Sequence, residues 1–187
     1  MHEEINAATK VLLNGGLILY PTDTIWGIGC DATNVEAVNR IYRLKKRSDA
    51  KSMLVLMDSV TRLSQYLQEI PEIAFELLEV ADKPLTIIYP EARNLAKNLL
   101  ASDRTIGIRL VKDKFCTELI RHCKKPVVST SANISGEIAP GIFSDIAEEI
   151  KTGVDYVVNY RQDQTVPKKP SSIIKLGIGG EIEILRK

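Results

Sequence analysis

Histidine is nearly missing from this chain of 187 residues: only His2 and His122 occur. A Ser-His-Asp or Cys-His triad needs an imidazole positioned by its neighbours. Neither residue suits that task, one standing at the start of the sequence and the other in a lysine-rich stretch. No H-E-x-x-H or comparable spacing occurs, which removes a protein-held catalytic zinc. The three cysteines, Cys30, Cys116 and Cys123, are odd in number and share no C-x-x-C spacing, so neither a disulfide framework nor a zinc knuckle is expected. They read as small buried apolar residues. No window approaches the ~18 uninterrupted apolar residues of a membrane-spanning helix. Met1-His2-Glu3-Glu4 has neither the basic nor the apolar region of a secretory signal. The expectation is a cytoplasmic protein with no membrane contact. If it is an enzyme, it works by binding, orientation and charge neutralisation.

What is present describes a folded α/β chain. Apolar residues make up 44% and the net charge is only +1, which excludes a disordered chain. The length predicts one domain over 1–187, able to bury about 70% of its unfolded surface. Ile5, Ala8 and Leu12 form one stripe of a helix over 3–14, stopped by Gly15-Gly16. A strand over 17–20 ends at Pro21. A helix over 34–47 follows, capped by Thr33 or Asn34, then a strand over 53–57. Helical stretches are predicted over 59–67, 72–80, 114–123 and 144–151. Strands are predicted over 85–89, 105–110, 127–130, 156–160, 172–176 and 182–185. This alternation predicts a sheet covered by helices, with ligands at loops beyond the strand ends.

Three segments look chemical. Pro21-Thr22-Asp23-Thr24-Ile25-Trp26-Gly27-Ile28-Gly29 follows the first strand, and its hydroxyls and glycines suit either a ligand loop or an ordinary capped turn. Trp26 reads as partial core. Between positions 40 and 51, six cations (Arg40, Arg43, Lys45, Lys46, Arg47, Lys51) face one anion, Asp49. Most of them suit a solvated helix end. Lys45 does not, because Val38, Ile41, Tyr42 and Lys45 share the i, i+3, i+4, i+7 stripe that faces the core. A lysine there calls for an internal carboxylate or a bound phosphate, and phosphate is favoured because no acidic cluster lies nearby in sequence. Third, Ser129-Thr130-Ser131-Ala132-Asn133-Ile134-Ser135-Gly136 follows a buried strand and reads as an anion nest or as a turn capping its own amides. Alternation also puts Thr105 and Arg109 on one strand face, as an anion clamp or as a structural ion pair. Gly177-Ile178-Gly179-Gly180 reads as a hairpin turn.

Together these segments resemble the YrdC-like family of threonylcarbamoyl-AMP synthases. The markers stand in order: Pro21-Thr22-Asp23-Thr24; Lys45-Lys46-Arg47 as K-x-R; Pro84-Leu85-Thr86; Gly107-Ile108-Arg109; and Ser129-Thr130-Ser131-Ala132-Asn133 with Gly136. The resemblance implies the single-domain form, an α/β fold with a twisted mixed sheet flanked by helices. It implies a reaction joining L-threonine, bicarbonate or CO2 and ATP into threonylcarbamoyl-AMP and pyrophosphate, with Mg2+ accompanying ATP. The product then goes to tRNA through threonylcarbamoyl-transferase proteins.

By motif, Lys45 and Arg47 would hold the ATP phosphates, with Ser131 and Asn133 completing that catalytic site. Lys51, Thr105 and Ser172 would also face the nucleotide. Thr24, Arg109 and Ser129 would hold threonine, Arg109 by its carboxylate. On this reading Lys45→Ala or Arg47→Ala abolishes threonine-dependent turnover of ATP and leaves the fold intact. The sequence departs from the family pattern in several places: Ser48 follows Arg47 where a proline is usual, Ser52-Met53-Leu54 stands where a proline-leucine pair is usual, Leu56 stands for a histidine, Trp26 for a tyrosine, and Asp82-Lys83-Pro84-Leu85-Thr86 for P-G-P-L-T. The alternative is a non-catalytic double-stranded RNA- or tRNA-binding protein of the same superfamily, using the basic segment on phosphate backbone. A third option is related carbamoyl or adenylyl transfer to another amino acid.

Overall fold

Alternation along the strands decides how this sheet is covered. The structure is a computed structural model that describes residues 1–46 and 53–187. Its helices are α1 His2–Leu13, α2 Val35–Leu44, α3 Leu63–Tyr66, α4 Ile73–Val80, α5 Lys114–Cys123 and α6 Glu148–Gly153. Its strands are β1 Ile18–Tyr20, β2 Gly27–Gly29, β3 Leu54–Met57, β4 Leu85–Tyr89, β5 Ile106–Leu110, β6 Val127–Ser131, β7 Tyr156–Val157, β8 Ser172–Leu176 and β9 Ile182–Arg186. Among the described residues they form one mixed sheet in the order β7-β1-β2-β6-β3-β5-β4-β8-β9. The pairs β1/β7, β3/β5 and β4/β8 are parallel and the rest antiparallel.

On one face Val55, Met57, Ile87, Ile108, Val128 and Ile174 pack with Ala37, Val38 and Ile41 of α2. On the other, Ile18, Tyr20, Leu56 and Val127 pack under Ile5, Ala8 and Leu12 of α1 and Phe115, Leu119 and Ile120 of α5. Each fully buried valine, leucine, isoleucine or methionine among them contributes about 1.5–3 kcal/mol from apolar burial. The two helices cover only part of that second face. Further along it lie Leu54, Thr86, Gly107 and Ser129, and there the sheet is open as a cleft.

Local chemistry sets the boundaries. The Asn34 side chain accepts from the Ala37 amide, so Asn34 is the cap of α2, and Asp113 does the same for Cys116 and α5. After α1, Gly15 takes φ +76°, and the Gly15 and Gly16 amides close back on Leu12 and Val11. All three cysteines are buried and unpaired, and burial pushes the Cys123 thiol up to about 11. Among the described residues no helix is long and apolar enough to cross a membrane.

The structure revises some expected boundaries. Residues 27–29, expected as loop, are strand β2, because Gly29 lets β2 lie flat: a Cβ there would come within 2.7 Å of Tyr20 Cε1 and 2.8 Å of the Val128 oxygen. The helix over 144–151 becomes a 3-10 turn, Phe143–Asp145, and then α6, since Ile146 and Ala147 are extended between them. The strand over 156–160 is only Tyr156–Val157, limited by the three-residue β1 that it pairs with. The helix over 34–47 stops at Leu44, and Lys46 turns left-handed at φ +49°. Arg47 and Lys51 lie outside the described residues.

Candidate active site

The cleft has a volume of about 290 Å³. Its floor is the open sheet face: Leu54 of β3, Thr86 and Ile88 of β4, Gly107 and Arg109 of β5, Ser129 and Ser131 of β6. Thr24, Ile25 and Trp26 form one wall; Pro170, Ser171 and Arg186 form the opposite one. Gly107 gives the floor its depth. It faces Ile88 across the β4/β5 ladder, and a Cβ there would stand 3.3 Å from Thr86 Cγ2 and 3.5 Å from Leu54 Cβ.

The first wall is stiff. Thr22 Oγ1 donates to the Ile25 carbonyl at 2.7 Å and receives the Thr24 amide at 3.0 Å. The two threonine hydroxyls lie 3.0 Å apart. With the Thr22 proton given to Ile25, Thr24 Oγ1 donates to Thr22 and keeps its lone pairs for the cleft. Ser129 is arranged alike. Its hydroxyl bonds the buried Tyr20 phenol, which itself donates to the Val128 carbonyl at 3.2 Å. Burial pushes the Tyr20 phenol far up, so it stays protonated. These hydroxyls turn acceptors toward a ligand. Trp26 is 5% exposed and packs on Phe143 at 4.8 Å between ring centroids, partial core as expected.

The cations sit on the floor and the far wall. Arg109 is 3% exposed and lies 3.0 Å from Asp23, nitrogen to oxygen. That contact is outside hydrogen-bond geometry: Arg109 Nε and Nη2 and Asp23 Oδ1 are buried and make no hydrogen bond. A buried guanidinium with unspent donors facing a cleft is a carboxylate or phosphate receptor. Arg186 Nε donates to the Ser171 carbonyl at 2.8 Å, while the Ser171 hydroxyl pairs with Thr86 Oγ1 at 2.8 Å. Burial, then the Arg109 charge, pulls the Arg186 pKa down. The cleft thus carries two guanidinium groups, Arg109 on its floor and Arg186 on its far wall.

Lys45 is 1% exposed, as its place on the apolar stripe predicts. Its ammonium donates to the carbonyls of Ser131 and Asn133, and its own carbonyl accepts the Ser135 amide at 2.9 Å. The end of α2 is thereby sewn to the loop leaving β6. Lys45 borders the cleft through Ser131 and is not itself part of the lining. Asn133 Nδ2 donates to the carbonyls of Ile134 and Glu137, and its buried Oδ1 has no hydrogen bond.

Over residues 10–187 the chain matches the Sua5/YciO/YrdC family model, described as "Telomere recombination". The chain belongs to the Sua5/YciO/YrdC family. A threonylcarbamoyl-AMP synthase of Hahella chejuensis (strain KCTC 2396) is 32% identical over 153 residues, covering 81% of this chain and 83% of that protein. P. abyssi Sua5 complexed with L-threonine has the same fold, with a TM-score of 0.82 and 25% identity, covering 92% of this chain and 50% of that one. The chain therefore spans about half the length of that Sua5. E. coli YciO shares the fold at a TM-score of 0.85 and 23% identity, covering 100% of this chain and 90% of that chain.

Of the residues the YrdC-like resemblance assigned, the cleft gathers Thr24, Arg109, Ser129 and Ser131. Thr105 precedes β5 outside the lining, where its hydroxyl donates to Asp103 at 2.7 Å. Ser172 is also outside the lining; its neighbour Ser171, 2% exposed, is the serine in the wall. Sequence reading missed Arg186, which the register Ile173↔Arg186 would have placed beside the cleft. Two cations of the basic segment are already paired, Arg40 with Asp155 at 2.8 Å and Lys46 with Glu149 at 2.9 Å, which leaves less of it for an RNA backbone. Among the described residues no group of three or more His, Cys, Asp or Glu could hold a metal ion.

Proposed function

We propose that this chain is an L-threonylcarbamoyladenylate synthase, a nucleotidyltransferase that makes threonylcarbamoyl-AMP and pyrophosphate from L-threonine, bicarbonate or CO2, and ATP. The observation that carries the reading is Arg109, a buried cation with unspent donors at the base of a hydroxyl-lined cleft. The curated relative named for this activity and the threonine-bound Sua5 support it.

Arg109 takes the threonine carboxylate. Thr24 Oγ1 and Ser129 Oγ accept from the amine, since their protons point inward. The triphosphate lies toward Ser131 and the loop leaving β6, near Lys45, with Arg47 and Lys51 supplying further charge. The Lys45 clamp fixes that loop for the incoming phosphates. Asn133 completes this end, and Thr105 and Ser172 stand further along the nucleotide.

The amine nitrogen attacks CO2 and loses a proton, giving a carbamate without an enzymic base. A carbamate oxygen then attacks the α-phosphorus, and the bond to pyrophosphate breaks. Placing these atoms in line and neutralising the departing charge supply the rate. Mg2+ would enter with ATP, as the counter-ion on its phosphates. The product serves tRNA threonylcarbamoyladenosine formation by transferase proteins in the cytoplasm, and tRNA itself is a further candidate partner.

The test is pyrophosphate release. The unaltered chain releases it only when ATP, threonine and bicarbonate are all present. Arg109→Ala raises the threonine KM by about a hundredfold, the loss of a charged, bidentate hydrogen-bond pair.

A further inference from the structure

A guanidinium that is 3% exposed is costly to keep unless a counter-charge stands beside it. The Asp23 carboxylate stands 3.0 Å away without hydrogen-bonding it. The charge is balanced and the donors are left unspent. That combination differs from a structural ion pair such as Arg62–Asp58, where the guanidinium Nη1 donates to the carboxylate at 2.9 Å. We propose that Asp23 is a resident counter-ion that stands in for the substrate carboxylate on Arg109 and yields that place when substrate binds. The proposal rests on the reading that Arg109 receives the carboxylate of threonine.

Asp23 has somewhere to go. Arg109 lines the active-site cleft, whereas Asp23 lines a second cavity of about 490 Å³ that also reaches Asp58, Lys83 and Lys112. The pair is thus a partition between two spaces. When a second carboxylate reaches Arg109, Asp23 turns toward the rear cavity and takes up a proton there, because two like charges on one guanidinium repel.

The surroundings favour the proton. Burial raises the Asp23 pKa first of all, Arg109 offsets this, the Asp113 carboxylate of α5 raises it further, and Lys168 lowers it. Lys168 already donates to the Thr22 carbonyl and Asp113 already pairs with Arg161, so neither is placed to replace Arg109. Cys116 of α5 is held protonated by burial and adds no charge. The rear cavity is shared by Glu79 and Asp82 and by Lys83 and Lys112, of which Lys112 donates to the Ala81 carbonyl, while its Asp58 is paired with Arg62, so it offers no net cationic replacement for Arg109. Removal of the Arg109 counter-charge by substrate therefore pushes Asp23 toward its neutral form.

Calorimetric titration of L-threonine into the full chain, from about pH 5 to about pH 7, tests this without any substitution. Threonine's own groups do not titrate in that range, so affinity that falls as pH rises, with a proton taken up on binding, is expected. Asp23→Asn removes the competing charge. It is expected to bind threonine about tenfold more tightly near neutral pH, with no pH dependence or proton uptake, while melting at a lower temperature when unliganded. Threonine affinity that is flat with pH and takes up no proton overturns the proposal, as does weaker binding by Asp23→Asn. If Asp23→Asn does not fold, the proton uptake of the unaltered chain decides alone. Failure of the unaltered chain to bind threonine at all overturns the functional reading as well, whereas binding without proton uptake overturns only the role of Asp23.

Discussion

The Lys45 ammonium, at the end of α2, donates to the carbonyl of Ser131, at the end of β6. The same carbonyl accepts the Asn133 amide at 2.9 Å, so one oxygen ties together a helix end, a strand end and the loop beyond. A buried lysine held by backbone carbonyls has a structural task whatever ligand is bound. Lys45→Ala was expected from sequence to spare the fold; its bonds to two carbonyls add that the fold it keeps is less stable. The Ser131 carbonyl keeps the Asn133 amide, but leaving the buried Asn133 carbonyl short of its Lys45 donor costs about 1–3 kcal/mol. For a chain of this size that lowers the melting temperature by about 5 °C. Thermal unfolding of Lys45→Ala against Lys45→Arg checks it, the arginine variant keeping most of the stability.

Gly107 offers a cleaner way to block the cleft. Its missing side chain is the low point of the floor between Leu54 and Ile88. Valine there fills the ligand's space and meets Thr86 Cγ2, whose hydroxyl is tied to Ser171 at 2.8 Å. Gly107→Val is expected to lose threonine and ATP binding, with overpacking costing about 1–3 kcal/mol. Gly107→Ala, whose methyl stands a tight 3.3 Å from Thr86 Cγ2 and asks that side chain to give by a fraction of an ångström, keeps measurable activity. Ligand titrations on both variants, alongside their melting temperatures, separate blockage from unfolding.

Acid stability reports on Asp103. Hydrogen bonds from Thr105 and then Lys175 hold its carboxyl down to about 2. A depressed carboxylate stabilises the fold above its unfolded value of about 3.9, and that contribution is lost as pH falls through about 2. Asp103→Asn is therefore expected to melt lower than the unaltered chain at neutral pH, the gap closing under strong acid. The site is mostly exposed, so added salt shrinks the difference. Asp103→Ala, which removes the acceptor altogether, frees the Thr105 hydroxyl and shows by the ATP KM whether Thr105 serves the nucleotide.

Much of this was legible in the chain itself. The stripe Val38, Ile41, Tyr42 and Lys45 forces the lysine inward, and it is inward. Alternation in 105–110 puts Gly107 and Arg109 on one face, and both line the cleft. The partners of these groups were not legible. The Lys45 carbonyls come from residues 86 and 88 positions away, and Asp23 meets Arg109 only through the folded sheet. Strand β2 was hidden because Gly27 and Gly29 read as loop residues until Tyr20 and Val128 are seen to demand their smallness. Serine 171 and serine 172 differ by one step of alternation, and only the register of β8 on β4 tells which faces the ligand.

The central claim is that Arg109 and its hydroxyl neighbours orient threonine for attack on ATP. Pyrophosphate release by the purified chain, with each of ATP, L-threonine and bicarbonate withheld in turn, tests it most directly. Release only when all three are supplied, and its collapse in Arg109→Ala, is the predicted result. Turnover of ATP that ignores threonine, or unchanged threonine-dependent release in Arg109→Ala, would contradict it.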